Sequence, residues 1–125
     1  CSPTTAQYAA IEALRSSDGD VDYMVREYNR RRRVMVDGFR KAGLECFEPL
    51  GAFYVFPRIS STGLSSAEFA ERLLKEEKVA VIPGNAFGES GEGFVRACYA
   101  YSIENIFEAM RRIQDFVQRV KLEKR

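Results

Sequence analysis

Residues 91–100 read GEGFVRACYA, a run of apolar and aromatic residues with one arginine inside it. The run follows a glycine-rich loop, and its apolar alternation is typical of a β-strand. Arg96 stands in the middle of it, where a buried guanidinium without a partner would be very costly. We therefore expect Arg96 to pair with a buried carboxylate or to face a cavity, unless it lies at a sheet edge and points to solvent. Its planar fork fits a carboxylate through two hydrogen bonds.

The segments around this run alternate between helical and strand-like patterns. Helices are predicted over about 2–15, 21–42 and 65–74 and after Ser102, and strands over 44–47, 52–56, 79–82 and 94–100. The first two strands are expected to form a hairpin, and residues 79–82 a strand buried on both faces. The order α, α, β, β, α, β, β, α predicts an α+β fold. Its small mixed sheet of about four short strands is covered by helices on one face and preceded by a long helix.

Polar residues mark where three of these helices begin. Asp20 is expected to cap the long helix, Ser65 and Glu68 have the spacing of a capping box, and Ser102 precedes the last helix. Each of these side chains can accept a hydrogen bond from the unpaired backbone N–H groups of a first helical turn.

The composition is that of one ordinary globular domain. The chain has 125 residues, 46% hydrophobic and 30% charged, with 19 basic and 18 acidic side chains and a net charge of +1. This balance argues against binding nucleic acid through bulk electrostatics. No apolar run approaches the roughly 20 residues of a membrane span, and no basic-then-apolar leader is visible. We expect a cytoplasmic protein with neither a nucleic-acid nor a membrane partner.

The chain contains no histidine, which excludes a Ser-His or Cys-His pair and an imidazole metal ligand within it. Its three cysteines, Cys1, Cys46 and Cys98, form no C-x-x-C motif, so no metal site is expected. Free thiols in a reducing cytoplasm are the expectation. Cys98 follows the strand pattern, and we expect it in the core rather than acting as a nucleophile.

A cluster of arginines on the long helix has two interpretations. Residues 30–33 are four consecutive arginines, and with Arg26 and Arg40 they could form a basic collar for phosphate or nucleic acid. Four consecutive helical residues cannot share one stripe of the helix surface. A solvated face, partly paired with Glu27 and Asp37, is the simpler interpretation.

Two further segments are candidate binding sites for RNA or phosphate. The aromatic run 53–56 could stack on bases, although core packing is the default for such a run. The glycine-rich loop 84–93 lacks the Gly-Lys-Ser/Thr of a P-loop, and its Glu89 and Glu92 would repel phosphate. The alternative function is therefore a non-enzymatic module that binds RNA, or a carboxylate ligand through Arg96.

Four segments together resemble one protein family. They are SPTTAQYAAIEAL at 2–14, GAFYVFP at 51–57, VAVIPGNAFG at 79–88 and GEGFVRACYA at 91–100. In this order they resemble the C-terminal part, including the small domain, of the class I and II, aspartate-aminotransferase-like aminotransferases. This fold-type-I group uses pyridoxal phosphate. The resemblance covers essentially the whole chain.

The resemblance implies a domain organisation and a role for Arg96. Residues 1–20 would be the tail of the large, cofactor-binding domain, and residues 21–125 the small domain, entered through the long helix as a connector. The whole enzyme, expected to be a homodimer, would transfer an amino group between an amino acid and a 2-oxo acid. In this family the arginine at the Arg96 position holds the substrate α-carboxylate.

The resemblance also implies which groups lie elsewhere. The family's Schiff-base lysine belongs to a Ser-Lys motif upstream of this segment, and none of the lysines in this chain follows a serine. The chain by itself is therefore expected to bind no pyridoxal phosphate and to hold no catalytic residue. The family's small domain also borrows a segment from the N-terminus of its own chain. We thus expect an uncovered apolar face around the first helix and on one side of the sheet.

Overall fold

The computed structural model describes residues 1–123, so the last two residues of the predicted small domain, 124 and 125, lie outside the described residues. The described part contains four α-helices and three short strands. The helices are α1 (Thr4–Ser16), α2 (Asp18–Lys41), α3 (Ser66–Glu77) and α4 (Ile103–Glu123), and the strands are β1 (Tyr54–Val55), β2 (Ile82–Pro83) and β3 (Val95–Cys98). Short 3-10 turns lie at Ser60–Thr62, Gly84–Phe87 and Glu89–Gly91.

The sheet is built around β3. The strand order is β1–β3–β2, and both ladders are antiparallel. Tyr54 lies opposite Cys98 in one ladder, and Ile82 lies opposite Arg96 in the other. The α+β class is confirmed; the sequence predicts about four strands in a mixed sheet, and the described part has three in antiparallel ladders. Because β3 is the central strand, Arg96 does not lie at an edge.

The predicted hairpin that begins with 44–47 does not form. Of this segment only Glu45 pairs, in a single bridge with Arg58. The following carbonyl, that of Cys46, accepts hydrogen bonds from the Arg40 guanidinium at 3.0 and 3.2 Å and is therefore taken out of any ladder. The second predicted strand pairs with β3 instead.

The prediction of a strand buried on both faces over 79–82 is also wrong. Only Ile82 of this run joins the sheet, and it is 43% exposed. The reason is that β2 is an edge strand ending at Pro83, which has no backbone N–H to donate to a further neighbour. Val79 and Val81 pack against the core as partly buried side chains before the ladder begins.

The core lies between one face of the sheet and helices α2, α3 and α4. Val55, Val95 and Ala97 supply the sheet's side of it, and all three are buried. The helices supply buried residues at a spacing of three or four, including Met35, Phe39, Phe69, Leu73, Ile106, Met110, Ile113, Phe116, Val117 and Val120. Phe69 of α3 meets Phe116 of α4 edge to face, with 5.3 Å between the ring centroids, which joins these two helices.

Two of the predicted helix starts are confirmed. Ser65 Oγ accepts a hydrogen bond from the backbone N–H of Glu68 at 3.3 Å, and the Glu68 carboxylate accepts one from the N–H of Ser65 at 2.9 Å, which completes the capping box. Ser102 Oγ accepts a hydrogen bond from the N–H of Asn105 at 3.4 Å. Asp20 does not cap α2, because that helix begins at Asp18, directly after α1 ends.

Helix α1 and the start of α2 stand apart from the core. No residue of α1 is buried. Exposed apolar side chains continue from α1 into α2, namely Tyr8, Ile11, Leu14, Val21, Tyr23, Met24 and Val25. The apolar face expected around the first helix is therefore present and uncovered. Among the described helices, none is both long enough and apolar enough to cross a membrane.

Candidate functional site

The side of the sheet turned away from the core carries the candidate site. Successive strand residues point to opposite faces. With Val95 and Ala97 buried, Arg96 and Cys98 therefore point away from the core. We call this side the open face, formed by Tyr54 of β1, Arg96 and Cys98 of β3, and Phe87 from the loop 84–93. Arg96 is half-buried there.

Arg96 is held by two aromatic rings. Its guanidinium carbon, Cζ, lies 4.3 Å from the centroid of the Tyr54 ring and 4.3 Å from the centroid of the Phe87 ring. Two ring contacts at this distance leave the guanidinium little room to turn. The attraction between a cation and the face of an aromatic ring stabilises this arrangement.

The hydrogen-bonding edge of Arg96 has no protein partner within residues 1–123: no carboxylate or carbonyl there accepts a bond from it. Arg72, by contrast, forms ion pairs with Glu76 and Glu123. The interpretation in which Arg96 pairs with a buried carboxylate of its own chain therefore fails for this part of the protein. Its N–H donors are left for a ligand, and the planar fork suits the two oxygens of a carboxylate.

The loop 84–93 brings Phe87 to the site and is tied to the N-terminus of α3. The Glu92 carboxylate accepts a hydrogen bond from the backbone N–H of Ser66 at 2.8 Å, and the buried Ser66 hydroxyl accepts one from the N–H of Gly93 at 2.9 Å. A carboxylate is favoured at this positive end of the helix. Because Glu92 occupies the place that an anion would take there, the loop is not a phosphate cradle.

Two glycines let this loop fold back on itself. Gly84 donates its backbone N–H to the carbonyl of Phe94 at 2.8 Å, directly beside β3. A Cβ on Gly84 would collide with the carbonyl oxygen of Gly91, and a Cβ on Gly91 would collide with that of Gly84. This close approach of the two backbone segments holds the turn that carries Phe87 beside β3.

Sequence reasoning selects Arg96 but misses its two aromatic neighbours. Phe87 is the one large apolar residue in a loop of small and polar residues, and this is the signal that could have found it. Tyr54 carries no such signal, since its ladder partner is Cys98 rather than Arg96. The Tyr54 ring also lies 4.6 Å from that of Phe53, so it already contacts two protein groups. This disfavours the RNA-binding alternative.

The arginine cluster on α2 is partly neutralised. Arg31 lies 3.9 Å from the Glu27 carboxylate, and Arg32 forms a 2.6 Å ion pair with Glu48. The predicted pairing with Glu27 is confirmed, whereas no ion pair to Asp37 forms in the described part of the chain. These contacts favour a solvated, paired helix face over a nucleic-acid collar.

The three cysteines have different surroundings. All are free thiols; Cys46 is buried, and Cys1 and Cys98 are exposed. Burial raises the pKa of the Cys46 thiol to about 11, and the charge of Arg40 opposes this rise. The expectation that Cys98 lies in the core is wrong, because it is two residues from Arg96 and shares the open face with it. Within residues 1–123, no group of His, Cys, Asp or Glu side chains could hold a metal ion.

None of the lysines of the described part belongs to the strands or the loop that form the open face. They are Lys41 at the end of α2, Lys75 and Lys78 at the end of α3, and Lys121 near the end of α4. A pyridoxal-phosphate site needs a lysine at the cofactor's aldehyde. The open face offers the arginine but no lysine, so the described residues do not by themselves fit this cofactor.

Comparisons with known proteins agree with the sequence motifs. The family described as aminotransferase class I and II matches residues 1–113. The chain is 50% identical over 119 residues to a putative aminotransferase of Bacillus subtilis, covering 95% of this chain and 31% of that protein. It is 48% identical over 124 residues to aromatic-amino-acid aminotransferase 2 of Thermococcus litoralis, covering 98% of this chain and 32% of that protein.

The fold agrees as well. An aromatic aminotransferase of Pyrococcus horikoshii superposes with a TM-score of 0.89 and 47% sequence identity, over 93% of this chain and 32% of that one. The chain thus spans about a third of the length of the relatives it matches. The match runs through all four segments that carry the resemblance. The chain therefore belongs to the class I and II aminotransferases.

Proposed function

We propose that this chain is the C-terminal segment of a pyridoxal-phosphate-dependent aminotransferase. Residues 1–20 form the tail of its large, cofactor-binding domain, and residues 21–125 form its small domain. The observation behind the proposal is Arg96, a half-buried guanidinium whose donors no residue in 1–123 occupies. Relatives named for aspartate and for aromatic amino acids support amino acids and 2-oxo acids as the substrate class, because all of these carry an α-carboxylate.

In this function Arg96 binds the substrate α-carboxylate through two parallel N–H···O hydrogen bonds. The pair of bonds fixes both the position and the rotation of the carboxylate, and so orients the carbon attached to it. Pyridoxal phosphate, when bound, supplies the electron sink for chemistry at that carbon. The small domain closes over the substrate and excludes water, which strengthens the ion pair at Arg96. The lysine and the phosphate-binding groups for the cofactor come from outside this chain segment.

The uncovered apolar residues support the second part of the proposal, that this segment packs against the rest of a larger enzyme. Tyr8, Leu14 and Tyr23 are each more than half exposed and lie on the two helices nearest the proposed domain boundary. Several large apolar side chains exposed on consecutive helices indicate an interaction surface. The proposed enzyme is a cytoplasmic homodimer, and this segment alone neither binds the cofactor nor catalyses the reaction.

The test replaces Arg96 in the full-length enzyme. Arg96→Lys keeps the charge but loses the fork, and Arg96→Gln loses both. We expect KM for the amino acid and for the 2-oxo acid to rise roughly 30-fold or more in Arg96→Gln, and less in Arg96→Lys. Arg58→Lys, which alters an exposed arginine paired with Glu45, is the matched control and should leave KM unchanged.

Two outcomes would contradict the proposal. An unchanged KM in Arg96→Gln would show that Arg96 does not hold the carboxylate. A full-length protein that binds 2-oxo acids but shows no visible absorbance from bound cofactor would be a carboxylate-binding module without enzymatic activity. This is the second candidate function, because Arg96 explains recognition without explaining catalysis.

A further inference from the structure

We propose that Tyr54 and Phe87 are positioning residues that clamp the Arg96 guanidinium, so that only its edge is offered to the substrate. This inference rests on the function proposed above and extends it. The clamp makes the site selective for a carboxylate over the same molecule without one. It does so by fixing the plane of the arginine before the substrate arrives.

The geometry distinguishes Arg96 from the other arginines that lie near aromatic rings. Both of its ring contacts are at 4.3 Å, well inside the roughly 6 Å over which such contacts are attractive. The other four lie 5.3–5.7 Å from one ring each, namely Arg31, Arg58, Arg72 and Arg119. Among the described arginines, Arg96 alone has its guanidinium against two rings of different elements. A side chain with several rotatable bonds is thereby restricted to one plane.

Arg96 is positioned by aromatic rings and not by an acidic partner, and this leaves its N–H donors unoccupied within residues 1–123. Arg32 is positioned in the more common way, by hydrogen bonds to the Glu48 carboxylate at 2.6 Å and to the Asn29 side chain at 2.8 Å. Such bonds hold an arginine but consume its donors. A carboxylate beside Arg96 would compete directly with the substrate carboxylate. Two aromatic faces hold the guanidinium without occupying any N–H group, so the full fork stays available.

The two rings are themselves fixed by independent parts of the fold. Tyr54 is set by its ladder with β3 and by the neighbouring Phe53 ring at 4.6 Å. Phe87 comes from the loop 84–93, which is anchored to α3, and its ring meets that of Phe56 edge to face at 6.2 Å. The clamp therefore joins a strand and a loop through the arginine, and each aromatic ring can be removed by a separate substitution.

The experiment uses the full-length enzyme and two substrates. One is an amino acid, and the other is the primary amine with the same side chain, which lacks the carboxylate. The variants are Tyr54→Leu, Phe87→Leu and the double replacement. Ring-conserving controls are Tyr54→Phe and Phe87→Tyr, and Phe107→Leu removes an exposed ring from α4, away from the open face.

We expect each leucine variant to raise KM for the amino acid about 5-fold to 30-fold, with kcat changed much less. The kcat/KM for the amine should stay unchanged, since the amine does not use Arg96. The ring-conserving variants and Phe107→Leu should behave as wild type. In the double variant, the fold increase in KM should be smaller than the product of the two single fold increases, because both rings act on one guanidinium.

The outcomes separate this inference from the function on which it rests. If Arg96→Gln abolishes the preference for the amino acid while the leucine variants retain it, the clamp is wrong and the proposed function stands. If Arg96→Gln leaves the preference intact, the proposed function itself fails. Equal losses for the amino acid and the amine in the leucine variants would show a merely structural role for the rings and would overturn the clamp.

Discussion

Val95 and Ala97 point from β3 into the core, while Arg96 and Cys98 point from the same strand onto the open face. The inner side chains are apolar, buried and surrounded by helices. The outer pair is an arginine and an exposed thiol, and the arginine lies against two rings rather than beside an acid. In the function proposed here, a strand of four residues thus contributes to stability with one side and to ligand recognition with the other.

The difference shows how a fold can hold an unpaired charge ready for a ligand. On the inner face, a charge would have neither a partner nor water, and the chain would lose stability. At the outer helix surfaces, charges are neutralised by neighbours, as where Arg119 binds Glu76 and Glu77. The open face neither buries the charge of Arg96 in the core nor neutralises it with a neighbouring acid of the described part. Two aromatic rings lie against Arg96 there, and in the proposed function its charge is left for the substrate.

The largest expected effect comes from placing a carboxylate on the buried face of β3, compared with the same group on the open face. Val95→Asp buries a charge without a partner, and we expect a loss of more than about 4 kcal/mol in the free energy of unfolding. Cys98→Asp is the matched control, because it puts the same group on the exposed side and should change stability by less than about 0.5 kcal/mol. Urea unfolding followed by circular dichroism measures both. Similar losses in the two variants would contradict the division into two faces.

The next effect tests how the loop reaches the open face. Gly84→Ala forces the loop backbone away from Gly91, and we expect a loss of about 3 kcal/mol in unfolding free energy. In the full-length enzyme the same change should raise KM, because Phe87 moves off Arg96. Gly51→Ala is the control, since nothing lies within 4 Å of its Cβ position. A KM that stays at the wild-type value despite the lost stability would show that the loop backbone does not position the ring.

The smallest effect is a pH dependence of the unfolding free energy. It arises at the buried thiol of Cys46, and the exposed thiols of Cys1 and Cys98 serve as the comparison. Folding raises the pKa of Cys46 from 9.0 to about 11, so the folded state binds more protons between these values. Its stabilising contribution is therefore complete below about pH 9 and is lost as the pH rises towards 11, by on the order of 2 kcal/mol. Burial raises the pKa of Tyr99 as well, which adds a loss of the same sign. Unfolding at several alkaline pH values measures the slope.

Two controls accompany this measurement. Cys46→Ala should flatten the slope and leave only the Tyr99 part. At neutral pH, iodoacetamide should modify Cys1 and Cys98 in the folded chain and Cys46 only after unfolding. Modification of Cys46 at the same rate as Cys98 would place it outside the core.

Sequence reasoning succeeds where the information is local. The residues Ile106, Met110 and Ile113 recur at helical spacing, and all three are buried in α4. Ser65 and Glu68 form the capping box that their spacing indicates. Arg96 is selected for a different reason, since an arginine inside an apolar strand contradicts the surrounding pattern. Its role in binding substrate stays a prediction.

Sequence reasoning fails where the outcome depends on distant partners. Strands of two residues carry too little pattern to indicate their neighbours, so the pairing of β1 with β3 could not be read from residues 52–56. The predicted hairpin does not form because Arg40 of α2 donates hydrogen bonds to the Cys46 carbonyl. The clamp around Arg96 depends on a loop contact between Gly84 and Gly91. None of these contacts leaves a periodic signal in the chain.

The place of β3 in the sheet also governs the order in which the protein can assemble. Both outer strands precede it in the chain, and neither pairs with the other. During synthesis, β1 and β2 therefore leave the ribosome without a partner and stay unpaired until residues 95–98 have been made. Contacts between residues so far apart in sequence form slowly. The inner packing and the outer clamp both need residues 95–98, so a chain released before residue 95 would have neither.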